Sequence, residues 1–180
     1  MSIGIYLIMG ICSIQVTAII FYIVYYRKRI TDMYGMLISM STGMAMGILM
    51  GTILGVVFQD NLFESTIYAI LIGLAIGFIT GVPVGLPAVI DGILSGIMGG
   101  MMGAMLGDMI AMTRPDEIVK ILALIVTMVL LLVLYTTEDI IRKQSGRDTF
   151  TIFRYPFLIL LIISIIFIGL NGVELFELSY

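Results

Sequence analysis

The chain has 180 residues, of which 61% are hydrophobic and only 12% charged, with a mean hydropathy of +1.18. Soluble globular domains carry ~25% charged residues, so this composition excludes a soluble domain and points to the bilayer as solvent. A net charge of −3 without a basic patch excludes a nucleic-acid surface, the absence of histidine excludes the usual zinc chemistry, and the single cysteine, Cys12, excludes an internal disulfide.

Hydropathy predicts an all-α integral membrane protein: a bundle of six transmembrane helices forming one polytopic domain over residues 1–180. The first span, 3–26, reads IGIYLIMGICSIQVTAIIFYIVYY. No basic residue precedes it and RKR follows it, so it reads as a membrane helix with its N-terminus outside rather than as a cleavable signal. The next spans fall at 33–58, 66–82, 86–112, 117–136 and 156–173, each about long enough for a ~30 Å hydrocarbon core at 1.5 Å per residue. Spans three and four have no charged loop between them. Their divider is GVPVGLP, Gly81–Pro87, whose two prolines and two glycines disfavour a continuous helix. Arg27, Lys28 and Arg29 follow span one, and Arg142, Lys143, Arg147 and Arg154 lie between spans five and six. The positive-inside rule puts both basic loops in the cytoplasm and both termini outside. The expected location is a bacterial plasma membrane, with the lipid bilayer as the first partner.

Glycine recurs at every fourth position on three successive spans. Span two has Gly43, Gly47, Gly51 and Gly55, and span three has Gly73, Gly77 and Gly81. Span four has Gly92, Gly96 and Gly100, together with Gly99, Gly103 and Gly107. Positions i and i+4 share one helix face, and small residues in that pattern let backbones approach closely in lipid. The pattern predicts a glycine-zipper core made by helices 2, 3 and 4, surrounded by the Leu-, Ile- and Val-rich spans. Packing alone accounts for such ladders; smooth faces on which helices slide, or self-association through the same faces, are the functional readings.

Span four has a second face. At ~100° per residue, Met98, Met101, Met102, Met105, Met109 and Met112 fall within an arc of about 100°, roughly opposite the glycines. Asp91 projects onto the methionine face and Asp108 lies at its edge. Met36, Met40 and Met44 contribute thioethers from span two. Methionine fills irregular gaps beside glycine, which is the packing explanation. Thioethers also select Cu(I), which makes a soft-metal path the sharper one, with Met101, Met105 and Met109 as candidate metal ligands. Met101-x3-Met105 beside a GxxxG is similar to the pore signature of Ctr-type copper transporters. That family uses three spans per subunit and Met-rich outer segments, whereas this sequence predicts six spans and has no such segment.

Asp91 sits about one turn inside span four, and an ionisable group in a membrane span is a functional candidate; its alternative role is to interact with the positive end of the helix dipole. Asp91-Gly92 resembles the start of the CDP-alcohol phosphotransferase motif, but Ser95 and Gly96 replace its AR pair and its further aspartates are missing, so the sequence does not support that activity. No nucleophile–base pair or phosphate loop argues for an enzyme, and no resident cofactor is implied. Two readings remain. One is a small transporter or permease that moves a soft cation such as Cu(I) along the methionines between Asp91 and Asp108. The other is a non-transporting membrane scaffold or assembly factor that binds a second copy or a partner membrane protein through its glycine-rich helices. The direction in which the methionine face points separates them.

Overall fold

The structure is a computed structural model and describes residues 3–27, 31–58, 61–110 and 115–145. Among the described residues there are five helices and no strand: α1 (Ile3–Tyr26), α2 (Asp32–Val57), α3 (Leu62–Gly81), α4 (Leu86–Ile110) and α5 (Pro115–Ser145). Each contains an apolar stretch long enough to cross a membrane. The expected span 156–173 lies outside the described residues.

Three expected spans match their helices closely, and one boundary differs in each of the other two. Helix α3 begins at Leu62 instead of 66, because the polar residues Glu64 and Ser65 form its first turn, where a carboxylate complements the helix dipole. Helix α5 runs to Ser145, nine residues past the expected end. Hydropathy stops at the edge of the hydrocarbon, whereas the good helix formers of TTEDIIRKQS carry the backbone hydrogen bonding further. The turn between α3 and α4 falls within GVPVGLP as expected. Val84 N–H and Gly85 N–H both donate to the Gly81 carbonyl, at 3.1 and 3.3 Å. Pro87 sits in the first turn of α4, where its missing N–H leaves no bond unmade.

Helix α2 lies at the centre and packs in two different ways. One side meets α5, on which α1 packs in turn, through an ordinary apolar core. Ile38, Met46, Leu49 and Ile53 of α2 join Ile19 and Ile23 of α1 and Val119, Ala123 and Leu130 of α5 in one buried cluster. The other side meets α3 and α4 through glycine. Gly43 lies against Gly92, and Gly55 against Gly107, so α2 and α4 run parallel. Gly77 lies against Gly92, and Gly73 against Gly96, so α3 runs antiparallel to both. At the near end Gly35 of α2 closes on Val84 of the α3–α4 turn.

The glycine contacts are backbone to backbone. A Cβ on Gly47 would lie 2.8 Å from the Gly100 nitrogen, and one on Gly51 would lie 2.7 Å from the Ala104 nitrogen. Real Cβ atoms do not approach that closely. The absence of a side chain is therefore what allows the three helices to meet, at whatever cost glycine carries in helix propensity.

Candidate functional site

Helix α4 is two-faced, and on its glycine side one ladder is wedged between α3 and α2 while the other meets α2. Gly92, Gly96 and Gly100 meet Gly77, Gly73 and Ala69 of α3. Gly99, Gly103 and Gly107 meet the α2 backbone at Met44, Ile48 and Thr52. All six are buried. The ladder glycines of α2 and α3 (Gly43, Gly47, Gly51, Gly55, Gly73, Gly77 and Gly81) are buried as well.

The methionine side points the other way. Met98 is 59% exposed, Met101 40%, Met102 60%, Met105 57% and Met109 78%. Asp91 and Asp108 are half-buried, and the 17 residues between them correspond to ~25 Å of helix. Met112 lies outside the described residues. On α2, Met36 and Met44 are half-buried and Met40 is exposed. The Met44 backbone lies against Gly99 in the α2–α4 interface, while the thioether face of α4 is exposed. Among the described residues no three His, Cys, Asp or Glu side chains converge as a metal site.

The outward side chains of α4 change character along its length. Leu86, Ile90 and Leu94 are exposed over the first third; from Met98 onward the exposed side chains are thioethers, with Leu106 the exception. The outward faces of α3 and α5 carry Leu71, Phe78 and Ile79, and Ile121, Ile125 and Leu132, respectively.

Two polar features were not singled out from the sequence. The first is a set of buried hydroxyls where α2, α3 and α4 converge. Ser39 Oγ donates to the Gly77 carbonyl at 3.0 Å and lies 3.3 Å from Thr80 Oγ1. Thr80 Oγ1 also bonds the Gly77 carbonyl, at 3.0 Å, and Ser95 Oγ donates to the Gly92 carbonyl at 3.0 Å. All three side chains are buried. The sequence did contain a signal: Ser39 stands four residues before Gly43 and extends that ladder as a fifth small residue. The second feature lies in α1. Gln15 is buried, and its Oε1 has no hydrogen-bond partner. Three residues earlier, Cys12 Sγ lies 3.9 Å from Thr127 Oγ1 of α5. No periodic pattern marks a single glutamine of this kind.

Comparison with known proteins finds no family model that matches the chain and no significant similarity to a curated protein or a solved structure.

Proposed function

We propose that this protein is a membrane scaffold or assembly factor: a six-span bundle with a glycine-zipper core of helices 2, 3 and 4, whose working surface is the thioether face of α4. One observation carries the reading. Met98, Met101, Met102, Met105 and Met109 are exposed, while the ladder glycines are consumed inside the chain. The glycine faces are therefore spent, and the surface left for a partner is the opposite one. The exposed large apolar side chains of α3 and α5 are branched or aromatic except for Met128. Methionine is unbranched and polarisable and repacks against varied surfaces, which suits a protein-facing role.

A photoreactive amino acid at Met102 or Met105, activated in native membranes, tests this. Protein adducts at these positions and lipid adducts at Ile125, on the outward face of α5, are expected. Lipid adducts at all three positions would sink the reading.

The soft-cation reading keeps one observation in its favour: the exposed thioethers are bracketed by two half-buried carboxylates, Asp91 and Asp108. Within one chain the glycine helices meet backbone to backbone, so a path along Met101, Met105 and Met109 would run between α4 and whatever covers it. Many weak sites in series favour passage over storage. Changing these three residues together to Leu should then abolish Cu(I) or Ag(I) uptake into proteoliposomes while the fold survives. An absence of uptake by the native protein would leave the scaffold reading alone.

A further inference from the structure

The turn between α3 and α4 differs in chemistry from the other connections. No Asp, Glu, Lys or Arg occurs between Glu64 and Asp91, whereas Arg27, Asp60 and Arg114 stand in the connections before α2, α3 and α5. Gly81–Pro87 has no polar side chain of any kind. The nearest hydroxyl, Thr80, is buried and bonded within the bundle. What the turn presents outward is apolar: Val82 is 53% exposed and Leu86 78%.

The backbone of the turn nearly satisfies itself. Val82 N–H donates to the Phe78 carbonyl, Val84 and Gly85 N–H to that of Gly81, and Val89 N–H to that of Gly85. Pro83 and Pro87 have no N–H to satisfy. Between Val82 and Val89, only Leu86 and Ala88 carry an N–H outside these bonds. Connections usually run through water because their backbone polar groups need it. In lipid each such group has to find its partner within the protein, and this turn comes close to that condition. Its two remaining N–H groups keep it out of the hydrocarbon centre and suit the boundary, where water still reaches.

Packing against α2 gives the same depth. A Cβ on Gly35 would lie 2.9 Å from the Val84 Cβ. Gly35 stands three residues after Asp32, where α2 begins, which is ~4.5 Å along the axis. Tyr34, beside Gly35, is exposed, and tyrosine favours the boundary between hydrocarbon and headgroups.

We infer that the α3–α4 turn is a lipid-binding element. Its apolar tip, Val82 to Leu86, inserts among the acyl chains just beneath the headgroups, on the membrane face that carries Arg27. Water is disfavoured as its surroundings because Leu86 and Val82 would stand bare in it. A protein partner is disfavoured because the tip offers no charge and no side-chain hydrogen bond by which one could be selected. The placement does not depend on what meets the thioether face of α4.

The sequence contains no tryptophan, so one introduced indole is a single fluorescent reporter. Leu86→Trp, Val82→Trp and Asn61→Trp are compared in two kinds of vesicle. One is phosphatidylcholine formed in iodide, which then reaches both membrane faces. The other is phosphatidylcholine brominated near the carboxyl end of its acyl chains. Asn61 is exposed and makes no side-chain cap bond, so it serves as the water-facing reference. Iodide should quench the two turn positions several-fold less than Asn61→Trp, and the brominated lipid should quench them several-fold more. Quenching by iodide at Leu86 equal to that at Asn61 would put the turn in water and overturn the inference. Protection of both turn positions from iodide and bromine alike would reveal a protein cover and overturn it equally. Strong iodide quenching of Asn61→Trp shows that the indole does not carry itself into lipid, and the second turn position keeps the test alive if one variant fails to fold.

Discussion

Gly55 of α2 and Gly107 of α4 face each other so closely that a Cβ on either would lie 2.9 Å from the other's Cα. The obstacle on each side is backbone, which no rotamer change can move aside. Substitution there has to separate two helices.

The first expectation follows from that geometry. Leu at Gly47, Gly77 or Gly103 should destabilise the protein by at least the ~1–3 kcal/mol typical of overpacked cores. Val129→Leu, at a half-buried position on α5, should be mild. Gly10 is the sharper control, because a Cβ there would meet nothing within 4 Å. Gly10→Ala should be neutral or should stabilise by up to ~1 kcal/mol through helix propensity. Thermal unfolding in detergent, followed by circular dichroism, ranks the variants. A Gly103→Leu protein that melts with the native one would refute the backbone-contact account of α4.

The second concerns the hydroxyls. Ser39 and Thr80 share the Gly77 carbonyl. Ser39→Ala and Thr80→Val should each destabilise modestly, and a double-mutant cycle should give a coupling of about 0.6 kcal/mol, the average for hydrogen bonds between membrane helices. Strict additivity would show that the two side chains act separately.

Gln15 supplies the third. A buried acceptor without a partner costs about 1–3 kcal/mol, so Gln15→Met, which keeps the length of the side chain and removes the amide, should raise the unfolding midpoint. A fall in midpoint would mean that Oε1 is bonded in the membrane to a donor from another molecule.

The fourth tests orientation. Asn61 precedes α3 and is exposed, and Ser145 ends α5. In a Cys12→Ser background, Asn61→Cys should react with a membrane-impermeant thiol reagent applied from outside, and Ser145→Cys should react only after permeabilisation. Ser179→Cys, beyond the described residues, should behave like Asn61→Cys. Labelling of Ser145→Cys from outside would reverse the topology.

Much of this molecule is written at short range. The helices were legible because each apolar run is bounded by charge or by Gly and Pro, as at Gly81–Pro87. The two faces of α4 were legible because glycine repeats at four and methionine at three and four. What stayed out of reach depends on distant partners. Gly92, Gly96 and Gly100 look like Gly99, Gly103 and Gly107 in sequence, and only the packing sets the first between α3 and α2 and the second against α2. The direction of the methionine face was equally hidden, since periodicity says which residues share a face and not what lies opposite. The last turns of α5 were missed because hydropathy measures residence in lipid, whereas helix formation continues in water.

The contact between α2, α3 and α4 has a further property. An interface of Leu and Ile must hold each side chain in one rotamer, which costs about 0.5–1 kcal/mol per residue. Gly47, Gly51, Gly73, Gly96 and Gly103 have no side-chain torsions to restrict. Docking these three helices therefore orders backbones that are already helical and freezes almost no side-chain motion at the seam. The small attraction between bare backbones is opposed by a correspondingly small entropy, so a close and specific association forms in a solvent that gives apolar surfaces no reason to seek each other.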